Sequence, residues 1–120
     1  DDAEKLVRDR PDAIGAERIY VNRGNKLFKL KRYEEAIADY DRVIAVFPQR
    51  DELVYSSRGK ALFHTGRYRK ALPDFDHALE LKPDSKRLYY DRALTYRALG
   101  DFKSAREDFN RSCALGGLCP

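Results

Sequence analysis

The chain has 120 residues, 42% hydrophobic and 37% charged, and its 24 basic and 20 acidic side chains leave a formal charge of +4. That length supports one domain with a modest core, and the composition excludes wholesale disorder. No apolar run approaches the roughly 18–20 residues of a membrane-spanning helix, and the positive surplus is too mild and interspersed to indicate nucleic acid by itself.

The chain lacks a starting Met and contains no Met at all. It therefore reads as a processed product or an excised fragment, with any targeting segment already removed. Residues 1–16 come first. Ala3, Leu6 and Val7 give a small apolar face, and Pro11-Asp12 ends it, which predicts an N-terminal capping helix and linker; a frayed tail is the alternative.

From residue 17 the chain repeats. Three segments, 17–50, 52–85 and 86–119, align in register. Tyr20-Val-Asn-Arg23-Gly24 matches Tyr55-Ser-Ser-Arg58-Gly59 and Tyr89-Tyr-Asp-Arg92-Ala93. Further on, Tyr33-Glu-Glu-Ala36 matches Tyr68-Arg-Lys-Ala71 and Phe102-Lys-Ser-Ala105, and Asp39-Tyr40 matches Asp74-Phe75 and Asp108-Phe109. Within each unit the apolar positions follow helical periodicity in two segments, such as Tyr20, Gly24, Leu27 and Leu30, then Ala36, Tyr40, Val43, Ile44 and Phe47. The turns Leu30-Lys-Arg, Thr65-Gly-Arg and Leu99-Gly-Asp separate them, Asp101 is placed as an N-cap, and Pro48 and Pro83 close the first two units. Pro73, inside the second unit's second segment, is expected to remove a hydrogen bond and bend that helix.

This pattern resembles the tetratricopeptide repeat, whose period is about 34 residues. The resemblance covers Glu17 to about Leu115 and implies an all-α fold. The expected architecture is a right-handed α–α superhelix of three helix–turn–helix repeats with an extra N-terminal helix. It also implies a protein–protein interaction scaffold or adaptor, in which the first helices line a concave groove for a partner peptide or helix.

Carried over position by position, the groove is Arg18, Val21, Asn22, Asn25, Phe28 and Lys29 from the first unit and Ser56, Lys60, Phe63 and His64 from the second. Leu53 and Ser57 lie on the same helix, and the third unit adds Arg87, Tyr90, Asp91, Leu94 and Arg97. Five basic residues against one acid, with a line of aromatic and aliphatic side chains, suit an acidic partner with apolar anchors. Phe28 and Phe63 have an equal claim to pack between repeats. The carboxylate clamp of chaperone-binding members is poorly matched: Val21 and Ser57 stand where Lys and Asn are required, and Arg87 is followed by Asp91. Binding of chaperone tails by that clamp is not expected.

Arg23, Arg58 and Arg92 each precede Asp39, Asp74 and Asp108 by sixteen residues, which predicts one structural ion pair per unit; solvated charges without contact are the alternative. Cys113 takes the place of Ile44 and Leu79, and Cys119 follows after Gly116-Gly117. The run Arg111-Ser-Cys113-Ala-Leu-Gly resembles the cysteine-bearing helix ends of secreted Sel1-like repeats. That likeness implies a Cys113–Cys119 disulfide and an extracytoplasmic, periplasmic setting; two free thiols in the cytoplasm are the alternative. The apolar strip of the last helix is expected to be covered by the disulfide loop folding Leu118 back together with an additional contact, from further residues of a longer protein or a second copy of the chain.

No nucleophile–base pair, phosphate loop or metal-ligand spacing appears. His64 and His77, the only histidines, read as surface residues. Neither enzymatic activity, nor a cofactor, nor a metal site is expected. Two rival readings carry specific motives: a nucleic-acid-binding helical repeat, from the basic groove, and an architectural homo-oligomer joined through the C-terminal edge.

Overall fold

The structure, a computed structural model, describes residues 14–49 and 51–119. Those residues form six α-helices and no strand: α1 Ile14–Lys29, α2 Tyr33–Val46, α3 Glu52–His64, α4 Tyr68–Leu81, α5 Lys86–Ala98 and α6 Phe102–Ala114. The expected capping helix falls largely on residues 1–13, outside the described residues. Each helix packs on its neighbours in sequence, and α3 also touches α1 and α5. The first helices of the repeats therefore share one face of a superhelix measuring 47 × 25 × 20 Å.

Four turns repeat one hydrogen-bonding scheme. Arg32 N–H donates to the Leu27 carbonyl at 2.8 Å and Lys31 N–H to that of Phe28 at 2.9 Å. The same pair of bonds recurs at Gly66/Arg67, Gly100/Asp101 and Gly116/Gly117. The residue after each helix end is left-handed, with φ of 62° at Lys31, 79° at Gly66, 83° at Gly100 and 90° at Gly116. This is the Schellman closure, which satisfies the last carbonyls of a helix and sends the chain back along it. Lys31 alone takes the conformation with a Cβ, at a steric cost glycine does not incur. At the other ends, Asp51, Ser85 and Asp101 cap α3, α5 and α6 by accepting from backbone N–H groups.

The core follows from a size match across each helix pair. Tyr20, Tyr40, Val43, Val54 and Phe75 are buried almost completely, among alanines that let backbones approach. A Cβ at Gly24 would lie 2.8 Å from the Tyr40 ring, and one at Gly59 would lie 2.9 Å from that of Phe75. Tyr55 and Tyr89 tie successive repeats together by donating their hydroxyls to the Pro48 and Pro83 carbonyls, at 2.5 and 2.9 Å. Helix α4 runs unbroken through Pro73, whose ring lies on an exposed face.

Guanidiniums run through the stack at repeat spacing. Arg23, Arg58 and Arg92 each grip an aspartate of the following helix through two bonds: Asp39 at 2.7–2.8 Å, Asp74 at 2.7–2.9 Å and Asp108 at 2.6–2.9 Å. Arg58 and Arg92 also reach back to Asp41 and Asp76 of the preceding repeat. The three central carboxylates are buried, unlike the exposed pairs whose contribution is typically about 0–1 kcal/mol.

At the C-terminus Cys113 and Cys119 form a disulfide. The loop does not fold Leu118 inward: its side chain remains 71% exposed. Gly117 instead makes the closest approach, donating its N–H to the Ser112 carbonyl at 2.8 Å. A Cβ at Gly117 would sit 2.4 Å from the Ser112 hydroxyl, which itself donates to the Lys86 carbonyl at 2.9 Å. The short loop is held against α6 and the start of α5, and Leu118 stays largely in solvent.

Candidate functional site: the face of the first helices

Helices α1, α3 and α5 present two cavities in succession. The first, about 220 Å³, lies between α1 and α3 and is lined by Asn25, Phe28, Lys29, Tyr40, Ser57 and Lys60. The second, about 210 Å³, lies between α3 and α5 and is lined by Lys60, Phe63, His64, Phe75, Arg87, Tyr90, Asp91 and Leu94. Lys60 borders both. A third hollow of about 380 Å³ continues from Arg87 and Tyr90 to Lys86, Ser112, Gly117 and Leu118 beside the disulfide loop.

The repeat spacing explains this arrangement. Residues one helical turn apart on α3, such as Lys60, Phe63 and His64, share a face, and the equivalent positions of α1 and α5 flank it. Tyr40 and Phe75, buried opposite Gly24 and Gly59, form the floors. Tyr40 donates its hydroxyl to Asn25 Oδ1 at 2.6 Å, and burial pushes this phenol up to about 12, so it remains a donor at neutral pH.

Phe28 packs between repeats, edge-on to Tyr33 at 5.3 Å and to His64 at 5.7 Å, while contributing an edge to the first cavity. Phe63 meets Tyr68 edge-on at 5.1 Å and forms a wall of the second. Arg18 and Asn22 are exposed, Val21 packs onto the core around Tyr20, and Arg97 lies over the Phe109 ring at 5.6 Å. None of these four lines the three cavities. Ser56 is buried and donates to the Leu53 carbonyl at 3.1 Å, which removes it from the face.

His64 is exposed, in line with its surface reading, whereas His77 is not a simple surface residue. His64 stacks on Tyr33, with centroids 4.9 Å apart, while its edge borders the second cavity. His77 is half-buried against Tyr55, at 4.1 Å between centroids.

Asp91 lies on the floor of the second cavity, 8% exposed. Its Oδ1 meets the Arg87 guanidinium at 3.4 Å, and its Oδ2 has no hydrogen-bond partner among the described residues. Burial pushes this carboxyl up, against the pull of Lys60 and Arg87.

Sequence reasoning did not place Tyr40, Phe75, Lys86, Ser112, Gly117 or Leu118 on this face. The first two were legible as the large partners of Gly24 and Gly59. Gly117 and Leu118 border it because the C-terminal loop turns back toward α5, where Lys86 and Ser112 line the same hollow.

Two family models described as tetratricopeptide repeat match the chain, one over residues 17–50 and one over 50–116. The chain belongs to the tetratricopeptide repeat family. Among solved structures, the chain is 26% identical to the first TPR of Spaghetti (RPAP3) bound to HSP90 peptide SRMEEVD. That match has a TM-score of 0.78 and covers 82% of this chain and 78% of the other. The second TPR of the same protein, bound to the same peptide, is 28% identical, with a TM-score of 0.78 over 82% of this chain and 91% of that one. A MamA mutant is 25% identical at a TM-score of 0.83, covering 94% and 82%. The chain spans only 63% of the length of another MamA structure, to which it is 24% identical. No curated protein is significantly similar in sequence.

The matched families are repeat families, not catalytic ones. Among the described residues no cluster of three or more His, Cys, Asp or Glu could hold a metal ion, and no helix is long and apolar enough to cross a membrane.

Proposed function

We propose that this chain is a protein-binding module whose first-helix face holds an acidic segment of a partner, anchored by an aromatic or aliphatic side chain. One observation carries the reading. The cavity between α3 and α5 combines apolar walls, Phe63, Phe75, Tyr90 and Leu94, with two cations, Lys60 and Arg87, at one place. Apolar walls reward burial of an anchor, and the cations favour carboxylates beside it while disfavouring basic competitors. The RPAP3 repeats, of the same architecture, are bound to a peptide that contains two Glu and an Asp, which supports an acidic ligand class. The mode of holding differs, because Val21, Ser57 and Asp91 occupy positions where a carboxylate clamp requires other residues.

The test is fluorescence anisotropy of a labelled heptapeptide of Glu residues around one central Phe. Reversing Lys60 and Arg87 together to Glu is expected to weaken binding more than about tenfold, equivalent to ~1.4 kcal/mol. Unchanged affinity, or loss produced equally by reversing Lys103 and Arg106 on α6, would overturn the reading.

A further inference from the structure

The acidic-segment reading accounts for Lys60 and Arg87 but gives Asp91 no role, and a carboxylate is an odd residue to place under an anion-binding cavity. Its side chain is 10% exposed, and Arg87, itself 71% exposed, engages only Oδ1 through a long 3.4 Å contact. Oδ2 receives no hydrogen bond from the described residues, although buried charged oxygens are ordinarily satisfied. The second cavity, which Asp91 lines, has apolar walls of Phe63, Phe75, Tyr90 and Leu94, with Lys60, His64 and Arg87 also bordering it.

We infer that Asp91 is the specificity-determining acceptor of this cavity and takes a hydrogen bond from the phenol hydroxyl of a tyrosyl side chain on the bound partner. The inference deepens the proposed function and rests on it for the source of the tyrosine. Three features select that chemistry. The walls favour a flat apolar body, since aromatic rings pair edge-on or offset with Phe63 and Tyr90. Lys60 and Arg87 border the same space and repel a cationic donor, which leaves an uncharged one. A carboxylate oxygen is a strong acceptor, since hydrogen bonds to charged oxygens are about twice as strong as neutral ones. Arg87, held at one end only and otherwise in solvent, moves aside to admit the hydroxyl.

The experiment uses the full chain and two small probes of one shape, p-cresol, which carries the donor, and 4-methylanisole, which does not. Both are titrated against ¹⁵N-labelled protein by NMR. The expected result is binding of p-cresol about tenfold tighter than 4-methylanisole, with shifts centred on the amides of Phe63, Tyr90 and Leu94. In Asp91→Ala the preference disappears. In Asp91→Asn, which keeps one acceptor, it falls to an intermediate value. Equal affinities, a preference that survives Asp91→Ala, shifts elsewhere on the surface, or no binding of either probe would each overturn the inference. A second arm compares the Glu heptapeptide with central Tyr against its Phe counterpart. Equal, groove-localised binding of both peptides would overturn the role of Asp91 and leave the acidic-segment reading standing. A p-cresol preference without binding of either peptide would do the reverse.

Discussion

Arg58 closes on Asp74 through two parallel hydrogen bonds, Nε to Oδ2 at 2.9 Å and Nη2 to Oδ1 at 2.7 Å, while its Nη1 reaches Asp41 of the preceding repeat at 2.8 Å. One guanidinium thus joins the two helices of its own unit and also spans a repeat boundary. The Asp74 hydrogen bond is the main reason its own ionisation is pushed further up, whereas desolvation pushes the Asp74 carboxyl up against the guanidinium's pull. Asp74 is 5% exposed, so truncating Arg58 strands a buried charge. Arg58→Ala is expected to cost about 3 kcal/mol, and Asp41→Ala, at the exposed end, less than ~1 kcal/mol. In urea denaturation, the Arg58→Ala/Asp74→Ala double variant should lose clearly less than the sum of the single losses. A coupling energy of zero would mean that the charges act independently.

Glycine in a helix interior is normally improved by Ala, by about 1 kcal/mol. Gly59→Ala is expected to go the other way. The new methyl would meet the Phe75 ring at 2.9–3.0 Å and the Asp74 Cβ at 3.3 Å, and Phe75 is buried with nowhere to turn. Overpacking of this kind costs about 1–3 kcal/mol. In the third repeat Ala93 stands at this position, and its counterpart Phe109 is only half-buried, edge-on to Tyr90 at 5.5 Å. A higher melting temperature for Gly59→Ala would refute the steric account.

Asp91 provides a pH-dependent prediction. Burial raises its carboxyl in the folded state. The folded chain therefore holds this proton more tightly than the unfolded chain, in which an aspartate titrates near about 3.9. Ionised Asp91 thus destabilises the fold above its folded pKa, and the penalty fades as pH falls through that value toward the unfolded one. Asp91→Asn, which cannot ionise, should stabilise by about 1 kcal/mol at neutral pH. Its advantage should shrink as the solution is acidified. Denaturant midpoints of both chains across that range check this, and a difference independent of pH would count against it.

The disulfide closes a ring of small sequence separation, six residues, between Cys113 and Cys119. Chain-entropy reasoning gives such a ring about 2 kcal/mol. Reductant, or Cys119→Ser, is expected to lower stability by up to that amount and to loosen Gly117 first, whose N–H is held by the Ser112 carbonyl. Hydrogen exchange of the Gly117 amide reads the local effect. Unchanged protection after reduction would show that the Schellman turn holds the loop without the covalent link.

The sequence by itself determined the repeat, its period and the helix pairs. Gly24, Gly59 and Ala93 recur with Tyr40, Phe75 and Phe109, and that small-against-large match is a property of side-chain volume that survives without coordinates. It also placed Arg and Asp sixteen residues apart in every unit, because one helix pair brings those two positions together each time. Only the tertiary structure decided how those groups are used. Burial is set by the neighbouring repeat, so the composition could not reveal that Asp39, Asp74 and Asp108 lie inside while Asp41 and Asp76 remain exposed. For the same reason Ser56 and Val21, at groove spacing by sequence, turn inward. Asp91 lies beneath a cavity shared by α3 and α5 that neither helix contains alone.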